Sequence, residues 1–146
     1  MIALGHKHAS AIREHGERDY PYECCGLLIG RFLGNGCKVV FETFAISNAR
    51  EEEHKRNRFL IRPEELLGGE RYAREKHLDV VGFYHSHPDA EARPSLYDLE
   101  HAWPTYSYVI VSVRKAYAQD LRSWEMRPDR THFDAEDIVK GETSCQ

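Results

Sequence analysis

His85-Ser86-His87-Pro88 closes an apolar run that starts at Val80, and Pro94-Ser95-Leu96-Tyr97-Asp98 follows shortly after. Two imidazoles one residue apart, with a carboxylate eleven positions beyond the second, supply three sides of a tetrahedral divalent metal site. Neutral imidazole and carboxylate suit zinc. Three protein ligands leave the fourth position to water, which is the arithmetic of a catalytic centre rather than a closed structural one. On a strand, residues i and i+2 point to one face, so His85 and His87 project together while Ser86 faces away. On the helix that follows, residues three apart share a face, so Ser95 and Asp98 aim at one locus.

Each fragment also has a plainer reading. Ser95-x-x-Asp98 after a proline resembles a helix capping box, and two histidines in three residues arise by chance in a chain with nine. The combination carries the argument. A water activated by a metal must pass its proton to a base. Glu23, in Pro21-Tyr22-Glu23-Cys24-Cys25-Gly26-Leu27-Leu28-Ile29-Gly30, stands at the mouth of an apolar strand and can be brought beside the histidines if the strands neighbour each other. Alone it reads as a solvated turn carboxylate. Cys25 opens that strand and reads as core rather than as a nucleophile.

The elements that must position these residues alternate between helix and strand, without repeats. Residues 5–18 have a helix-compatible pattern that ends before Pro21. Residues 25–30 form a nearly continuous apolar strand, and Gly34-Asn35-Gly36 supplies the turn that folds it back onto a strand over 38–46. Residues 48–58 are charged without a period and read as a solvated connection. A brief strand is expected over 58–62, then a helix from Pro63 to about Lys76, with proline and acids in its first turn. A buried strand over 80–85, a helix over 95–102 and strands over 106–113 and 121–126 complete the layout. The last ten residues are expected to form a frayed, disordered tail.

With 146 residues the chain is one ordinary domain. Its 41% hydrophobic and 30% charged composition is globular, and a net charge of −4 gives no general attraction to nucleic acid. No apolar run approaches the roughly 20 residues of a membrane span, and the first 16 residues lack a signal-like apolar segment, so a cytoplasmic protein with no membrane partner is expected. Cysteines at 24, 25, 37 and 145 form no CxxC pair and suggest free thiols in a reducing compartment.

A Glu ahead of Cys-Gly-Leu-Leu-x-Gly, then His-Ser-His followed by seven residues and Ser-x-x-Asp, resembles the JAMM motif of the MPN-plus zinc metalloproteases, a family of deubiquitinase-like isopeptidases. Every position of the pattern is met, and the likeness of layout spans about residues 4–127. The resemblance implies a mixed α+β, MPN-type (cytidine-deaminase-like) domain with a central mixed or mainly antiparallel sheet flanked by helices. It implies zinc held by His85, His87 and Asp98, Glu23 as general base, and Ser95 as hydrogen-bond donor to the developing oxyanion, with Ser86 structural. Only six residues separate Asp98 from Thr105, leaving little room for a ubiquitin-gripping insertion. The chain therefore looks like the compact bacterial branch, which acts on ubiquitin-like sulfur-carrier proteins at their Gly-Gly end. Two other classes remain: a non-catalytic scaffold, and a zinc hydrolase of a small amide. A nucleobase deaminase would combine His-x-Glu with Pro-Cys-x-x-Cys, and the chain lacks that combination.

Overall fold

The structure, a computed structural model, describes residues 1–48 and 61–145. The apolar run after Glu23 forms β2 (Cys25–Phe32), which turns back through the Leu33–Gly36 turn into β3 (Lys38–Ile46). β2 also pairs antiparallel with β4 (Asp79–Pro88), in a register that sets Cys25 opposite His85. β4 runs parallel to β5 (Ser107–Arg114), and β5 pairs antiparallel with β6 (Tyr117–Met126). Parallel neighbours need a crossover between them. Here the β4–β5 crossover contains α3 (Leu96–His101) and so carries Ser95 and Asp98 back over the sheet.

Two helices cover opposite faces. α1 (His6–Asp19) lays Ile12, His15 and Gly16 on the face formed by Val109, Val111, Val113 and Tyr84. Gly16 permits a close approach, since a Cβ there would stand 2.9 Å from Val113 Cγ2 and 3.4 Å from Ser86 Cβ. α2 (Pro63–Glu75) has Glu64 and Glu65 in its first turn and packs through Leu66 and Gly69 on the other face, against Leu27. Ser86 thus faces α1, and His85 and His87 face the opposite side, as strand parity requires.

The full sheet is mixed and has eight strands in the order β7-β6-β5-β4-β2-β3-β1-β8, with β1 at Ile2–Ala3, β7 at Phe133–Glu136 and β8 at Ile138–Val139. Its outer strands β7 and β8 are separated by Asp137 alone, so the chain passes from one edge to the other and the sheet curls until they meet. Inside the curl Lys38 Nζ lies 3.3 Å from Glu136 Oε2, while Ser107 and Ser123 donate to Glu136 Oε1 at 2.6 and 2.7 Å. That satisfies a lysine and a carboxylate that would otherwise be too costly to bury.

The expected helices and strands appear in order, with three corrections. The C-terminus is not frayed through residue 145: Ile138–Val139 pairs with Ile2–Ala3, and a 3-10 turn follows at Glu142–Cys145. The cysteines are not all free thiols, because Cys37 and Cys145 are bridged, with Cα atoms 5.8 Å apart, while Cys24 and Cys25 are free and buried. The strand expected over 58–62 is absent at residues 61 and 62, and its remainder lies outside the described residues, as does the charged connection from residue 49. Among the described residues no helix is long and apolar enough to cross a membrane.

Candidate active site

The site forms at the C-terminal end of β4. His85 Nε2 and His87 Nε2 are 3.1 Å apart, and Asp98 Oδ2 lies 3.2 Å from each, so three donor atoms from residues 13 positions apart make a nearly equilateral triangle. All three residues are buried. α3 delivers the carboxylate through a complete capping box: Ser95 Oγ accepts from Asp98 N at 3.1 Å, and Ser95 N donates to Asp98 Oδ2 at 2.8 Å. The capping reading and the ligand reading of Ser95-x-x-Asp98 therefore describe one geometry.

The protons decide what the triangle can hold. His87 Nδ1 is 2.8 Å from the Glu91 carbonyl oxygen, which only accepts, so Nδ1 carries the hydrogen and Nε2 presents a lone pair. Burial lowers the His85 pKa despite Asp98, keeping that imidazole neutral. Burial alone would raise the Asp98 carboxyl, but the adjoining His85 and His87 rings outweigh it and hold the group well below the usual carboxylate range. Lone pairs on His87 and Asp98 at 3.2 Å repel unless a cation lies between them. A tetrahedral zinc with bonds of about 2.0–2.1 Å spaces its ligand atoms by about 3.3 Å, which these residues fit.

Glu23 arrives from a different part of the chain. It lies just before β2, where Ser86 Oγ accepts from Cys24 N at 2.8 Å and Ser86 N donates to Cys24 O at 3.2 Å. This tie across 62 residues sets Glu23 against the histidines, with Oε1 3.8 Å from His87 Nε2. Glu23, His85 and His87 present ligand atoms all within 4.8 Å of one another. Glu23 is buried and its Oε2 has no hydrogen-bond partner among the described residues, so desolvation and then the Asp98 charge push its pKa up to about 9. A cation in the triangle reverses that balance and favours the ionised base.

All five residues expected from the sequence converge here, and Ser86 is the structural tie. Sequence reasoning missed the groups that hold the β4–α3 loop and the backbone of Glu23. Asp89, at a left-handed φ of 53°, accepts from Tyr20 OH at 2.6 Å and Lys115 N at 3.0 Å. Asn48 Nδ2 donates to the Glu23 carbonyl at 3.1 Å. The Pro88-Asp89 turn chemistry was the only local signal for the first of these.

Two grooves flank the centre on opposite sides of β4. One, ≈ 430 Å³, lies at the ends of α1 and β3 and is lined by Tyr20, Tyr22, Glu23 and Ser47. The other, ≈ 340 Å³, lies between α3, β6 and β7 and has Ser95 in its wall.

Residues 5–127 match the family described as prokaryotic homologs of the JAB domain. A desampylase of Haloferax volcanii is 36% identical over 104 residues, covering 70% of this chain and 71% of that protein. A CysO-cysteine peptidase of Mycobacterium tuberculosis is 31% identical over 118 residues, covering 80% and 77%. A protein of Salinibacter ruber solved in solution is 39% identical with a TM-score of 0.76, covering 97% of this chain and 92% of its own. A JAB1/MPN domain protein of Archaeoglobus fulgidus shares the fold at a TM-score of 0.57 and 17% identity, covering 97% and 98%.

Proposed function

Because this chain belongs to the prokaryotic homologs of the JAB domain, and two of its relatives are hydrolases by name, we propose that it is a zinc-dependent metallopeptidase or isopeptidase. Its substrate is the C-terminal Gly-Gly tail of a ubiquitin-like or sulfur-carrier protein, at which it hydrolyses an amide bond. The observation that carries this reading is the triangle of His85, His87 and Asp98 with Glu23 buried beside it. The relatives' names, a desampylase and a CysO-cysteine peptidase, support the substrate class.

His85, His87 and Asp98 hold the ion. Zinc, when bound, supplies Lewis acidity toward the scissile carbonyl and lowers the pKa of water. Glu23 accepts a proton from the attacking water at a carboxylate oxygen and returns it to the leaving amine, so the products are a carboxylic acid and an amine. Ser95, whose oxygen already accepts from Asp98 N, donates its hydroxyl proton to the carbonyl oxygen as negative charge develops there. Glycines suit the approach because the absence of side chains lets the tail lie close to the buried ligands.

The test incubates the zinc-loaded protein with sulfur-carrier proteins extended beyond Gly-Gly and follows release by mass. Cleavage immediately after Gly-Gly is expected, and it should be lost in Glu23→Gln with metal content retained. Failure to cleave any carrier, ubiquitin chain or peptide would favour a non-catalytic scaffold.

A further inference from the structure

The groove beside Ser95 is lined by Pro94, Leu96, Leu99, Trp124 and Phe133, with Arg93 and His132 at its rim. Leu96 is 79% exposed at the first helical position of α3, so this face is not buried core. Trp124 is fixed by donation of its indole N–H to the Ala92 carbonyl at 2.9 Å. The wall is therefore apolar, built from side chains of α3, β6 and β7, and contiguous with the reacting centre through Ser95.

A Gly-Gly tail has no side chain with which to fill ≈ 340 Å³. The groove across β4, around Tyr20 and Tyr22, lies on the other side of the centre and can take that tail. What remains for the apolar groove is the residue on the far side of the scissile bond. Its rim adds a second constraint. Among the described residues Arg93 pairs with Glu91, at 3.5 Å, and both side chains are largely exposed, so the pairing is weak and the guanidinium can turn to another carboxylate.

Resting on the peptidase reading, we infer that this groove selects the leaving group: a single large apolar amino acid with its α-carboxylate free, side chain against Leu96, Leu99, Trp124 and Phe133 and carboxylate toward Arg93. The enzyme then releases a free apolar amino acid rather than separating two folded proteins.

The test uses the full, zinc-loaded chain and one carrier protein ending Gly-Gly-Phe, Gly-Gly-Asp, Gly-Gly-Gly or Gly-Gly-Phe-amide. The expected kcat/KM for the phenylalanine acid exceeds those for aspartate and glycine by roughly tenfold or more, the gain from burying a large apolar side chain. The amide is cut more slowly than the acid, and Arg93→Gln removes that difference. Leu96→Asp, an acid tolerated in a first helical turn, collapses the ratio of phenylalanine to glycine, whereas Tyr117→Ala, remote and 70% exposed, preserves it. Binding is read separately from turnover: free phenylalanine, but not aspartate, should shift the Trp124 indole N–H signal in NMR spectra. Equal rates for all four tails, or no shift, overturn the groove assignment while leaving the peptidase standing. A shift without cleavage of any tail overturns the peptidase reading and keeps the groove as a binding site.

Discussion

Glu23→Gln should abolish turnover and at the same time stabilise the metal-free protein. Burial, with the Asp98 charge adding to it, lifts the Glu23 pKa from about 4.5 to about 9 in the folded state. Below pH 4.5 the carboxyl is protonated in both folded and unfolded chains, and no penalty exists. Between the two values the unfolded chain ionises while the folded one keeps its proton, so stability falls with rising pH, and above about pH 9 the loss is complete. At pH 7 the interval above the unfolded pKa of 4.5, at about 1.4 kcal/mol per unit, sets a ceiling of about 3.5 kcal/mol. Glutamine mimics the protonated form and escapes this cost. Thermal unfolding of chelator-treated protein should therefore show the variant melting up to roughly 10 °C higher at pH 7 and level with the parent at pH 4. A variant that is no more stable at pH 7, or whose advantage does not depend on pH, would refute the buried placement of Glu23. A variant that still turns over would refute its role as base.

Further tests address the other groups. His87→Ala should lower bound zinc to below about a tenth of an equivalent by atomic absorption, with activity lost and the circular dichroism spectrum retained, because three-ligand affinity requires every ligand. Ser95→Ala should lower kcat by about 100-fold or more and weaken the α3 cap by about 1 kcal/mol. Ser95→Asp separates the two effects, since aspartate caps equally well but donates nothing when ionised; recovered activity in that variant would count against oxyanion donation. The Cys37–Cys145 bridge closes a separation of 108 residues, so Cys37→Ser should cost about 2–4 kcal/mol, and reductant should lower the parent's melting temperature while leaving the variant unmoved. Four titratable thiols in the unreduced, denatured parent would show that the bridge does not form.

The ligand set was legible because it obeys local rules: strand parity brings His85 and His87 together, and a capping box returns Asp98. Glu23 was legible as a candidate at the mouth of an apolar strand, but its approach to the histidines depends on the β2–β4 register and the Ser86 tie, which no spacing announces. The same holds for Lys38, which sits inside the curled sheet beside Glu136, 98 residues away. The ordered C-terminus was missed because Ile138–Val139 and its partner Ile2–Ala3 are two-residue strands, too short to show alternation. The bridge was missed because cysteine spacing does not encode pairing.

The Ser86–Cys24 tie also sets a clock. His85, His87 and Asp98 lie within 13 residues of one another, so a strand end and one helical turn suffice to gather them. Glu23 joins only after a contact spanning 62 residues has closed. Loop closure over the longer stretch is slower and is stabilised by the packed sheet rather than by local structure. On the proposed reading, the groups that would hold the ion gather before the group that would act as base, which joins only once β2 has docked on β4.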